Sequence, residues 1–181
     1  MMKLGMLLLV VAGATAAGPG AWTDPVEVRH EETLCLSYRA RLDGPFLVVQ
    51  ATIEPGWHTF AMDNKLRAEE KLAGRKSLGI DHPTEIAVTG GVAVAGPWYQ
   101  TPPKDFSRPE LRWFSWGFER QALFAAKVQP SGAGAVRMAV RGQACTDTIC
   151  KNIDVTIVLP PGKTQAGGSS GIDLNTLMKV R

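Results

Sequence analysis

The chain has 181 residues, 45% of them hydrophobic and 20% charged, and a formal net charge of +3. That slight positive excess, with no basic run interleaved with aromatics, excludes nucleic acid as an electrostatic partner. After the first residues no apolar stretch is long enough to cross a bilayer, which argues against stable membrane insertion of the mature chain.

The opening segment, MMKLGMLLLVVAGATAAGPGAW, carries one positive charge at Lys3, an apolar run from Leu4 to Ala12, and an A-x-A pattern at Ala14, Thr15 and Ala16. This is the build of a secretory signal peptide, read here as residues 1–17, and it places the mature chain where disulfides persist. Roughly 160 residues remain, enough for one domain with a genuine core, assigned to residues 22–161.

Short β patterns then follow one another: VEVRH (Val26–His30), LCLSYRARL (Leu34–Leu42), FLVVQATI (Phe46–Ile53) and WHTFAM (Trp57–Met62). Turn signals separate them, as at Asp43-Gly44-Pro45 and Glu54-Pro55-Gly56. DNKLRAEEKLAGRKS (Asp63–Ser77) breaks the pattern with good helix formers after an Asp/Asn start, so a short surface helix ending near Gly74 is expected. A solvated loop insertion is the competing reading of that segment. EIAVTGGVAV (Glu85–Val94) resumes the strands.

AGPWYQTPPKDFSRPELRW (Ala95–Trp113) holds four prolines and few strand signals. Its aromatics Trp98, Tyr99 and Phe106 argue for an ordered loop that covers something. LRWFSWGF (Leu111–Phe118), QALFAAKVQ (Gln121–Gln129), AVRMAVRGQA (Ala135–Ala144) and IDVTIVLP (Ile153–Pro160) complete the set. Repeated short strands in one domain predict an all-β, antiparallel β-sandwich. From Gly162 the chain turns Gly/Ser-rich, and residues 162–181 read as a flexible tail. The GKTQAGGSSG within it lacks the order of a phosphate-binding loop.

The chemistry concentrates in RGQACTDTICKNIDV, where four residues separate Cys145 from Cys150. Five extended steps span about 16 Å, whereas bridged Cα atoms lie about 4.4–6.8 Å apart. A helix would point the two thiols to different faces. Only a turn through Thr146–Ile149, with Asp147 as its natural turn residue, lets the pair bond at the tip between the last two strands. Such a bridge closes so small a loop that it stabilises by only about 2 kcal/mol.

Two readings stand level on the residues alone, a structural staple and a redox couple. Lys151 and Arg141 would favour a thiolate and Asp147 would oppose it, so charge does not single out a nucleophile. Zinc ranks below both readings, because the pair supplies two ligands and His30, His58 and His82 lack ligand spacing; no metal or other cofactor is expected. Cys35, between Leu34 and Leu36, reads as a buried free thiol. Trp57 reads first as packing and His58 as a satisfied or surface side chain, with lining of a site as the sharper alternative.

IEPGWHTFA (Ile53–Ala61), GIDHPTEIAV (Gly79–Val88), WGFERQALFAAKV (Trp116–Val128) and VRGQACTDTIC (Val140–Cys150) occur in that order. Together they resemble the periplasmic amino-terminal domain of the thiol:disulfide interchange protein DsbD, the disulfide bond corrector family, over most of residues 24–161. The resemblance implies an immunoglobulin-like sandwich in the periplasm that relays electrons by thiol–disulfide exchange. By motif, Cys150 matches the cysteine that forms the mixed disulfide and Cys145 its resolving partner. In PKDFSR, Phe106 matches an aromatic that shields the cysteines from a cap loop, with Asp105 the acidic residue beside it. The implied partners are thioredoxin-like redox proteins or a membrane electron carrier, including those of cytochrome c maturation, with electrons supplied by a separate protein. The competing function is a non-enzymatic exported sandwich that binds a partner and carries a structural disulfide.

Overall fold

The computed structural model describes residues 20–161 and 171–181. The expected signal peptide, 1–17, lies outside the described residues.

The strands are β1 (Val26–His30), β2 (Thr33–Asp43), β3 (Phe46–Ile53), β4 (His58–Phe60), β5 (Glu85–Gly90) and β6 (Val92–Gln100). After them come β7 (Lys104–Asp105), β8 (Trp116–Phe118), β9 (Gln121–Pro130), β10 (Val136–Cys145), β11 (Cys150–Leu159) and β12 (Met178–Lys179). One helix, α1 (Asn64–Leu72), lies between β4 and β5. One sheet runs β1-β2-β3-β9-β6-β12 and the other β11-β10-β4-β8-β7, with β5 also beside β10. All the pairings are antiparallel, and the two sheets make the expected immunoglobulin-like β-sandwich.

Alternation explains the core. In β2, Leu36, Tyr38, Ala40 and Leu42 are buried while Ser37, Arg39 and Arg41 face outward, where both guanidinium groups lie over the Trp22 ring. Facing them from the other sheet are Val136, Met138, Val140, Ile157 and Leu159. Phe118 meets Phe124 edge-to-face with centroids 5.6 Å apart. The register slips between β1 and β2, so that Val28 faces Leu36 while Arg29 faces Leu34. Cys35 is the extra residue of that bulge, which explains how it and Leu36 are both fully buried. It is the buried free thiol expected, and burial pushes its pKa up, against a backbone hydrogen bond and the charges of Lys151 and Arg29.

Four sequence expectations need correction. Glu85–Val94 is not one strand. Gly90, at φ +95°, turns the chain from β5 beside β10 to β6 beside β9, and a Cβ there would collide with the Ala135 carbonyl oxygen. β6 then continues through a bulge between Val94 and Trp98, so Trp98 and Tyr99 are strand residues rather than loop aromatics. Leu111–Phe118 is also not a continuous strand. Pro109–Leu111 form a 3-10 turn, Arg112 is left-handed at φ 53°, Trp113 makes one isolated bridge to Arg108, and only Trp116–Phe118 form a strand.

The fourth correction concerns the tail. Gly171 N–H donates to the buried Asp43 carboxylate, Val180 N–H to the Trp98 carbonyl, and β12 pairs with β6. Residues 171–181 thus lie against the sandwich, held by these bonds and by Arg181 on Asp63 and Glu70. The Gly/Ser-rich residues 162–170 lie outside the described residues.

The helix falls where expected, and Ala73 and Gly74 end it with positive φ. Asp63 does not cap it with its side chain. The carboxylate is buried and turned inward, accepting from Arg67 Nε and Gln100 Nε2 at 2.8 Å each, with Arg181 Nε 3.6 Å away. Burial pushes this carboxyl upward, yet those partners outweigh it and hold it below the usual range. Its neighbour Asn64 also points inward, accepting from Trp116 N–H and donating to the Asp81 carbonyl. In this way the helix start props the wall of the cleft described next.

Candidate functional site

β10 and β11 form a hairpin whose last rung is the pair Cys145 and Cys150. The two cysteines are disulfide-bonded with Cα atoms 4.1 Å apart. The intervening turn is built by Thr146 rather than by Asp147. Thr146 N–H donates to the Ile149 carbonyl at 2.8 Å, and Thr146 Oγ1 accepts from the amides of Thr148 (3.2 Å) and Ile149 (3.1 Å). The Asp147 carboxylate is left exposed, 3.6 Å from the Arg108 guanidinium.

The bridge is asymmetric. Cys145 is 2% exposed, whereas Cys150 is exposed. Alternation fixes where the pair points. Ala144 and Thr59 face each other and are fully buried toward the core, so Cys145 and its cross-strand partner His58 share the opposite face of the sheet. On that face a cleft of about 640 Å³ opens, lined by both cysteines and by Trp57, His58, Phe106 and Trp113 among others.

The loop after β6 supplies one wall. Phe106 N–H donates to the Ser115 carbonyl at 2.9 Å, and its ring stacks on His58 with centroids 5.0 Å apart at 27°. Lys104 Nζ sits 5.1 Å from the same ring, on the loop's own side. Further along, the Arg108 and Trp113 backbones bond to each other, and Trp113 Nε1 donates to Asp81 Oδ2 at 2.9 Å. Phe106 therefore shares the cleft with the cysteines. Asp105 does not line it. Its carboxylate bends back to accept from Ser107 N–H at 2.8 Å, which shapes the loop.

Of the other residues singled out in the sequence, Trp57 is both core and cleft wall. Lys151, the next residue after Cys150, alternates to the other face of the sheet, and Arg141 pairs with Asp154 at 3.5 Å. The charges that line the cleft are instead Glu54, Asp81, Glu119 and Asp147 against Arg108 and Arg120. Sequence reasoning gave no role to Asp81, Arg108, Trp113 or Thr146. His58 is half-buried, with Phe60 edge-on at 5.3 Å. Burial lowers its pKa below the ordinary imidazole value, with Asp81, Asp147 and Glu119 pulling the other way. Among the described residues no three His, Cys, Asp or Glu side chains group as metal ligands, and no helix is long and apolar enough to cross a membrane.

No family model matches the chain. No curated protein is similar to it in sequence. Among solved structures, the N-terminal domain of DsbD from Neisseria meningitidis in its reduced form aligns with 81% of this chain and 91% of its own, at 8% identity and a TM-score of 0.47. The N-terminal periplasmic domain of ScsB from Proteus mirabilis aligns with 86% of this chain at 14% identity and a TM-score of 0.54, and this chain spans 56% of its length. This chain shares its fold with the aligned part of that ScsB domain.

Proposed function

We propose that this chain is a periplasmic thiol–disulfide exchange module that relays electrons through Cys145 and Cys150 to thioredoxin-like partners. The observation that carries the reading is the unequal exposure of the two bridged cysteines within an aromatic cleft. A staple needs no access, and closing so small a loop gains only about 2 kcal/mol. A relay needs one sulfur that a partner can reach and one that it cannot, and Cys150 and Cys145 divide in that way.

The chemistry follows from the exposure. A partner's thiolate attacks Cys150 Sγ, the new S–S bond forms there, and the Cys145–Cys150 bond breaks with its electron pair on Cys145. In the electron-donating direction the Cys150 thiolate attacks a partner disulfide. Cys145 then attacks Cys150 Sγ, re-forming the internal bridge and releasing the partner as a dithiol. Phe106, stacked on His58 at the mouth, restricts access by small oxidants and thiols. The periplasmic placement is supported by the build of residues 1–17 and by the ScsB domain being a periplasmic one.

Equilibrating the mature protein with defined thiol/disulfide buffers tests this. A potential within reach of partner dithiols is expected, with exchange abolished in Cys150→Ser and long-lived mixed disulfides in Cys145→Ser. A bridge that stays oxidised and inert throughout would overturn the relay and leave a binding module with a structural disulfide.

A further inference from the structure

Cys145 presents a chemical problem that the exchange reading leaves open. It is the buried sulfur, and it must act as a thiolate when it resolves a mixed disulfide on Cys150, because the thiol itself is not the nucleophile. Burial disfavours that thiolate. Some neighbouring group has to take the proton.

The register supplies one candidate. His58 lies directly across from Cys145 in the β4–β10 pairing and on the same face, where opposed Cβ atoms are about 4.5–5.5 Å apart. Its ring is held by Phe106 on one side and Phe60 at its edge. Among the described residues neither ring nitrogen makes a hydrogen bond. No other imidazole lines the cleft.

We propose that His58 is the general base that takes the Cys145 proton in the resolving step. The inference rests on the exchange reading. The neutral imidazole accepts the proton from the Cys145 thiol and becomes imidazolium. The Cys145 thiolate attacks Cys150 Sγ, forming the internal S–S bond and breaking the bond to the partner, whose sulfur leaves with the electron pair. That departing thiolate takes the proton from the imidazolium, so charge and protons balance. In the reverse direction the imidazolium protonates Cys145 as it leaves.

The groups facing His58 make this workable near neutral pH. Asp147 from the hairpin turn, Asp81 from the segment before β5, Glu119 from the β8–β9 turn and Glu54 from the β3–β4 turn are acidic; Arg108 from the loop and Arg120 from the β8–β9 turn are basic. Burial keeps the ring unprotonated at rest, and the carboxylates stabilise the imidazolium once it forms.

One equivalent of the aryl disulfide dithiobis(nitrobenzoate), mixed with reduced protein, isolates the step. Cys150 releases one coloured thiolate in the first phase, and attack by Cys145 releases the second. In the wild type the second-phase rate should rise with pH through a transition below the ordinary imidazole value and then level off. In His58→Phe, which keeps an aromatic ring between Phe60 and Phe106, the second phase should slow by roughly 10²-fold near pH 7. It should also climb steadily with pH, while the first phase is unchanged.

A normal first phase with an unaltered second phase and pH profile in His58→Phe would overturn the His58 role alone. If that variant does not fold, the wild-type profile decides, because a second phase rising about tenfold per unit from pH 5 to 8 without a break overturns the role. Failure of the wild type to release either thiolate would instead refute the exchange reading, and the His58 role with it.

Discussion

The strands β2, β3 and β9 and the cleft wall between β6 and β8 are built on opposite plans. The strands form continuous ladders, eight rungs between β2 and β3 and seven between β3 and β9, with apolar side chains filling the interior. The wall has two rungs of β7 against β8 and one isolated bridge, Arg108 with Trp113. Beyond these it is held by the Phe106–Ser115 backbone bond and by single side-chain bonds, among them Ser107 to Ser115, Trp113 to Asp81, and Asn64 to Trp116. The first plan spreads stability over many small contacts, so that no single hydrogen bond is decisive. The second concentrates position in a few bonds, which suits the access that the proposed exchange requires.

The comparison breaks most easily at the core. Phe124 is fully buried and packs edge-to-face on Phe118, so Phe124→Ala should destabilise the domain by about 3–5 kcal/mol. Thermal or denaturant unfolding reads this directly. At a temperature where the variant remains folded, reaction of Cys150 with a small disulfide should be nearly unchanged. A cleft that loses reactivity in step with stability would show that the two regions are not separate.

Asp63 stands where the regions meet and tests the next step down. Losing its charge-assisted bonds to Arg67 and Gln100 in Asp63→Asn should cost about 1.5–3 kcal/mol. The sign with pH is fixed by the direction of its shift. The folded pKa lies below the unfolded one, so the stabilisation is fully present above the unfolded value, near 3.9, and is lost as pH falls through the folded value. Acid unfolding of Asp63→Asn should therefore be flatter in that window. Equal acid sensitivity of the two proteins would place the linkage elsewhere.

The same division explains what the sequence made legible. Strands such as β1 and β3 were recognisable to the residue, because alternation and turn chemistry are local. The hairpin tip was legible too, since a bridge across four residues demands a turn. Gly90-Gly91 is a local turn signal, but it does not say that the chain changes sheets there, because β5 and β6 both read as strand. His58 opposite Cys145 was equally hidden, since pairing between strands distant in sequence is settled by the whole sandwich. Asp105 was named by motif, beside Phe106, and Asp147 for its residue type. Their carboxylates turned to Ser107 and Arg108 instead, contacts that depend on the path of the folded loop. The last strand, β12, has only two residues and followed a Gly/Ser-rich run, so composition argued against it.

The wall itself should give the smallest change in stability and the most specific change in function. Trp113→Phe keeps the ring over Arg108 and removes the indole N–H that bonds Asp81. One such bond in a half-buried setting is worth about 0.5–1.5 kcal/mol, and the core ladders do not touch it. The bond ties the loop bearing Phe106 to the segment before β5, so its loss should free the loop more than it weakens the fold. The expected result is a small drop in unfolding temperature together with faster reaction of Cys150 with small disulfides. Restoring a short donor in Trp113→His should recover part of the slower rate if the bond, rather than the bulk of the indole, holds the wall. A rate unchanged in both variants would mean that the ladder and turn alone position the loop, and that the wall is built on the same plan as the core.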